Sequence, residues 1–100
     1  MAEAFRIELT PEAIDDLRLL RKYDQQQIVA AIQAQLTHQP TQETRNRKRL
    51  RPNALAEWEL CIGVFRVFYD VDAPQAVVKV EAIGYKRGNT LFIQGEEYEL

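Results

Sequence analysis

The chain has little of what usually advertises a chemistry. One cysteine, Cys61, excludes an intramolecular disulfide, and one histidine, His38, leaves no Cys/His spacing of the kind that holds zinc, so no metal or cofactor is expected. No apolar run approaches the roughly 18 residues that cross a bilayer, which removes a membrane from the expected partners. The first ten residues, MAEAFRIELT, carry Glu3 and Glu8 and lack the basic and apolar stretches of a signal peptide, so the expected compartment is the cytoplasm. Repeats, low-complexity tracts and linker-like stretches are also missing, and residues 1–100 read as a single domain. What is present suits a folded core: 46% of residues are hydrophobic and 28% are charged.

A net charge of −2 argues mildly against a nucleic-acid partner, but the charge is unevenly spread. Residues 45–51, RNRKRLR, hold five of the thirteen Lys and Arg side chains and no acid. Both flanking regions are acidic. The segment therefore reads either as a phosphate-binding patch built from Arg45, Arg47, Lys48, Arg49 and Arg51, or as a solvated connection.

The hydrophobic pattern changes period along the chain. Residues 4–9 alternate Phe5, Ile7 and Leu9 against Arg6 and Glu8, which predicts a half-buried strand. Thr10-Pro11-Glu12 opens a helix, with Thr10 as cap, Pro11 in the first turn and Glu12 at the positive end of the dipole. Ile14, Leu17 and Leu20 give that helix an apolar stripe. A second helix, capped by Asp24, carries Ile28, Ile32 and Leu36 at a spacing of four and ends near His38 and Pro40. A tight turn near Tyr23 joins the two.

After the basic segment the period becomes two. Trp58, Leu60 and Ile62 alternate with Glu59 and Cys61, Gly63-Val64 forms a hairpin turn, and residues 65–69 return. Asp72-Ala73-Pro74 turns the chain into a strand over 77–83, which Gly84 is expected to break, and residues 90–93 add a short last strand. The order β-α-α-β-β-β predicts an α+β fold, a helical hairpin on one face of a mainly antiparallel sheet. Glu59, Cys61, Arg66, Phe68, Lys79 and Glu81 then share the opposite, open face.

The run L-x-P-x-A-L-A-E-W-E-L-x-I-G-V-F-R-V-F-Y-D-V-D over 50–72, followed by V-V-K-V-E-A-I-G-Y-K-R-G-N over 77–89, resembles the RelE/ParE superfamily of type II toxin–antitoxin toxins. With the helical hairpin ahead of it, the resemblance covers nearly the whole chain. It implies a RelE-like, metal-independent endoribonuclease that cuts messenger RNA on the ribosome, or a ParE-like inhibitor of DNA gyrase, or a non-toxic member that only binds an antitoxin-like partner. A cognate antitoxin is the implied partner under either toxin reading.

Scission by a 2′-hydroxyl needs a base, stabilisation of the phosphorane charge and an acid for the leaving oxygen. The resemblance places Arg66 on the scissile phosphate and Lys86 and Arg87 in the region of a second active-site cation. It offers Glu59 as a base by analogy. Tyr85, placed after a strand end, reads either as a base-stacking platform on RNA or as a closure of the sheet edge. Phe92 falls near the place where competent relatives carry a tyrosine, and it has no proton to give.

Overall fold

The computed structural model describes residues 4–100; Glu3, on which the signal-peptide expectation partly leans, lies outside the described residues. Strand β1 (Arg6–Leu9) is followed by helices α1 (Pro11–Arg18) and α2 (Lys22–Leu36). Then come β2 (Arg47–Arg49), β3 (Trp58–Ile62), β4 (Phe65–Asp72), β5 (Val77–Arg87), β6 (Thr90–Ile93) and β7 (Glu96–Tyr98). The α+β expectation holds, with two short strands, β2 and β7, beyond the expected set.

The helix starts follow from local chemistry. Thr10 Oγ1 accepts the Ala13 amide at 3.1 Å, and Pro11 and Glu12 fill the first turn of α1. The second helix begins three residues earlier than Asp24 as cap predicts. Arg21 occupies the cap position and Asp24 sits in the first turn, where it accepts the Arg21 Nε at 3.2 Å. Ile28, Ile32 and Leu36 are buried as their spacing predicts, each contributing about 1.5–3 kcal/mol. On α1 the buried positions are Ala13 and Asp16, flanked by Leu17 and Leu20, whereas Ile14 is exposed. The apolar stripe is thus rotated from the expected one by a buried carboxylate: Asp16 accepts the Ile83 amide at 2.9 Å and the Gln94 side chain at 2.6 Å.

Among the described residues the strands form one seven-stranded sheet in the order β2-β3-β4-β5-β6-β7, with β1 lying parallel along the first half of β5. Gly84 does not break β5. The strand runs through it, and its antiparallel neighbour β6 lies so close that a Cβ there would strike the Phe92 carbonyl oxygen. The β4–β5 register shifts at Phe68/Tyr69: Phe68 pairs with Ala82 and Tyr69 with Val80, so Glu81 is left over as a bulge. Val78 and Val80 face the helices before the bulge, and Ile83 faces them after it.

The main core lies between helices and sheet and includes Trp58, Leu60, Val67 and Tyr69. The Tyr69 hydroxyl donates to the Pro40 carbonyl at 2.6 Å, and burial holds its pKa well above the ordinary phenol value, against a smaller lowering by Arg47. The opposite face differs from the open polar surface expected. Its centre is a second core of Phe68, Ala82, Leu91 and Ala56, against which Leu50, Leu55, Ile93 and Tyr98 pack. Phe68 is fully buried.

Candidate functional site

Strand register sorts the cations by face. Arg47 pairs with Leu60 and Arg49 with Trp58, so both belong to the helix side, while Lys48 pairs with Glu59 and shares the far face. The basic segment is thus an edge strand and its flanks, with its charges divided between the two faces.

Arg47 is buried. Its guanidinium donates to the backbone carbonyls of Gln35 and Gln42, tying the end of α2 to the sheet edge. This takes Arg47 out of any phosphate patch, because the side chain is buried with Nε and Nη1 bonded inside the fold. Arg49 lies 5.7 Å from the Trp58 ring centre and 3.7 Å from Glu57. Arg45, Lys48 and Arg51 are exposed.

On the far face, Arg66 pairs across the sheet with Cys61 on one side and Gly84 on the other. Its Nη1 donates to the carbonyls of Gly63 at 2.7 Å and Phe65 at 2.8 Å, which fixes the guanidinium from the turn side. Its Nε stands 3.7 Å from Glu59 Oε1, with the two side chains 18% and 11% exposed. The Arg66 Nη2 has no hydrogen bond among the described residues. Glu59 therefore meets Arg66 as its counter-ion, with Lys48 as its other charged neighbour in the register.

Lys86 follows Gly84 by two residues and so shares the face of Arg66; its amide bonds to the Val64 carbonyl, next to the β3–β4 turn. It lines a hollow of about 440 Å³ with Asn89, Thr90, Leu91 and Tyr98. Lys86 pairs with Leu91, and Leu91 with Tyr98, so the three form one cross-strand row.

Tyr85, Arg87 and Phe92 are on the other side. Tyr85 and Phe92 stack with centroids 5.5 Å apart, and the Arg87 guanidinium lies 5.9 Å from each ring. The structure brings Lys48, Glu59, Arg66 and Lys86 to one face and sets Arg47, Arg49, Tyr85 and Arg87 on the opposite one. Phe92 is turned away from Arg66, so the missing proton donor at that position has no bearing on the far face.

Sequence reasoning missed Tyr98 and Asp16. A signal for the first was available: Gln94-Gly95 between two short alternating stretches marks a hairpin, and Gly95 adopts φ 78° there. For Asp16 the signal was an acid interrupting the buried stripe of α1.

At the opposite end of the sheet, the Glu81 carboxyl is pushed up to about 7, first by burial, then by hydrogen bonding to Asp70 and the nearby charges of Asp70 and Glu12, against an opposing effect of Lys79. Among the described residues no group of three or more His, Cys, Asp or Glu could hold a metal ion, and no helix is long and apolar enough to cross a membrane.

Comparison with known proteins gives a consistent picture. Residues 7–89 match the family model described as the ParE toxin of the type II toxin–antitoxin system parDE. The fold is similar to that in the crystal structure of the RelBE2 toxin–antitoxin complex from Mycobacterium tuberculosis, with a TM-score of 0.74 at 20% identity over 84% of this chain and 93% of that one. It is also similar to that in the archaeal RelE–RelB complex from Pyrococcus horikoshii, with a TM-score of 0.66 at 20% identity over 85% and 97% of the two chains. No curated protein matches.

Proposed function

Because the chain belongs to the ParE toxin family of type II toxin–antitoxin systems, we propose that it arrests growth in the RelE-like manner, by gripping and cutting messenger RNA on the ribosome. The observation that carries this reading is the gathering of Lys48, Arg66 and Lys86 on one sheet face, around a braced guanidinium whose Nη2 has no hydrogen bond among the described residues. A planar fork held by two carbonyls is preorganised for a phosphate, and Lys86 adds a point charge for the phosphorane. Tyr98, lining the same hollow as Lys86, supplies the phenol that protonates the leaving oxygen, a task Phe92 cannot perform.

The structural neighbours are toxins in complex with antitoxins, and a cognate antitoxin fits this chain. Ile14, Leu19, Tyr23 and Val29 expose apolar surface on the helical hairpin, beside a hollow of about 340 Å³ floored by Leu17 and Ala30. An antitoxin segment that folds on binding would cover that surface.

The test is induced expression followed by mapping of messenger RNA ends and a gyrase supercoiling assay in parallel. New RNA ends that vanish with Arg66→Ala support the reading. A gyrase-binding toxin is favoured by one feature, the counter-ion on Arg66, since binding a protein needs no free phosphate fork. Growth arrest with unchanged RNA ends and inhibited supercoiling would replace the first reading with that one.

A further inference from the structure

We propose that Glu59 sets the anion affinity of the far face: it is a built-in counter-ion that holds Arg66 in place and weakens its grip on phosphate. The inference deepens the RNA reading and rests on it for the identity of the anion, while the counter-ion role itself stands on geometry.

Glu59 is an acid at the centre of a cationic face. It is the cross-strand partner of Lys48 and lies diagonal to Arg66, whose Nε it approaches to 3.7 Å. Both side chains of the pair are less than one-fifth exposed, so water screens them less than it would a surface pair. Arg66 cannot swing away, because Nη1 is bound to the Gly63 and Phe65 carbonyls. A phosphate arriving at Nη2 therefore meets a guanidinium whose charge is already partly balanced. No other carboxylate lies within ion-pair distance of Arg66 among the described residues. Gly84, its other strand neighbour, has no side chain to interpose.

The alternative role for Glu59, removal of the 2′-hydroxyl proton, conflicts with this placement. A base must present a free oxygen to the substrate, whereas Glu59 faces the Arg66 guanidinium. The counter-ion role makes the opposite demand. Loss of the charge should strengthen binding, whereas loss of a base should leave binding alone and abolish cutting.

The experiment is anisotropy of a labelled single-stranded RNA titrated with purified protein across a salt series, for the parent, E59Q, E59D, R66A and the E59Q/R66A pair. Inorganic tripolyphosphate is titrated in parallel, read by the NMR signal of the Arg66 Nε–H. E59Q keeps the shape and removes the charge, and should bind both anions about fivefold more tightly at low salt, the scale of a partly screened ion pair. Its log–log salt slope for RNA should steepen by about 0.7, one additional effective phosphate contact on a single strand. E59D, which keeps the charge, should stay near the parent, and R66A should erase the gain.

A purely structural Glu59 would change the melting temperature without this Arg66-dependent gain. Equal or weaker tripolyphosphate binding by a folded E59Q, or a gain that survives in the R66A background, overturns the inference. Tighter tripolyphosphate binding by E59Q in a protein that neither binds nor cuts RNA would uphold the counter-ion and remove the RNA reading.

Discussion

Arg47 and Arg66 stand on opposite faces of the same sheet, and the fold treats them differently. Arg47, on the helix side, is buried and spends its guanidinium on carbonyls of Gln35 and Gln42. Arg66, on the far side, is braced by two carbonyls at the turn, carries Glu59 near its Nε and stays partly exposed. A backbone-satisfied arginine is a strut. A braced arginine that still reaches the surface is preorganised for an anion, because the fold has already met its ordering cost. Position in a basic run says nothing of this difference; strand register does.

The largest expected effect tests the far side of the comparison. Arg66→Ala should lower the rate of RNA cleavage by about 100-fold or more, the scale of losing one preorganised donor to a transition-state oxyanion. The thermal midpoint should shift less than with Arg47→Ala, since one of the carbonyl hydrogen bonds that Arg66 loses is solvent-exposed. Arg47→Ala should do the reverse, destabilising the fold by about 2–3 kcal/mol through the loss of charged hydrogen bonds and leaving the folded fraction active. Denaturant unfolding alongside single-turnover cleavage separates the two. If R47A weakened RNA binding without destabilising the fold, the division by face would be wrong.

A smaller effect sharpens the far face. Tyr98→Phe removes a hydroxyl from a residue lining the same hollow as Lys86 and should slow cleavage by about 10–100-fold with the fold intact, as loss of a general acid does. Phe92→Tyr places a hydroxyl on the opposite face, against Tyr85, and should leave the rate unchanged. A rate gain with F92Y would mean that the helix-side aromatic stack touches substrate after all.

Much of the fold was legible because local rules and tertiary demands agree there. Thr10-Pro11-Glu12, the spacing-four apolar residues of α2, and Gly63-Val64 each do what their chemistry predicts. The failures share a cause, which is long-range contact. Gly84 reads as a breaker from its neighbours, yet it is required by the close approach of the adjacent strand β6, eight residues away in sequence at Phe92. The far face reads as open because Phe68 alternates with polar residues, but the 50–56 loop and the last hairpin close over it. Arg66 could be singled out from its motif, and the face it shares with Glu59 from the alternation. The bulge at Glu81, which keeps Ile83 on the helix side and Lys86 on the side of Arg66, could not, because a register shift has no signature in a single strand.

The divided basic strand gives a finer comparison. Lys48 shares the far face, whereas Arg49 lies over Trp58 and near Glu57. Lys48→Ser should flatten the log–log salt dependence of RNA binding by about 0.7, and Arg49→Ser should leave it nearly unchanged. Equal slopes for both variants would make the strand a diffuse charge and remove Lys48 from the site.

The smallest effect lies at the opposite end of the far face, where carboxylates replace the cations. Glu81 is the unpaired bulge residue, and its pKa is pushed up to about 7 by burial and by its contacts with Asp70 and Glu12, against an ordinary value of 4.5. A carboxyl with a raised folded-state pKa is more easily ionised in the unfolded chain. Its contribution is complete below about pH 4.5 and is lost as pH rises through about 7, because only the unfolded state gains from releasing the proton over that interval. The group is partly solvated, so the effect should stay below about 1 kcal/mol. Glu81→Gln keeps a neutral side chain at every pH. The variant should match the parent at pH 4 and exceed it in urea midpoint at pH 8, with the gap opening between those values. A constant gap from pH 4 to pH 8 would show that Glu81 ionises normally and that the bulge places it in water.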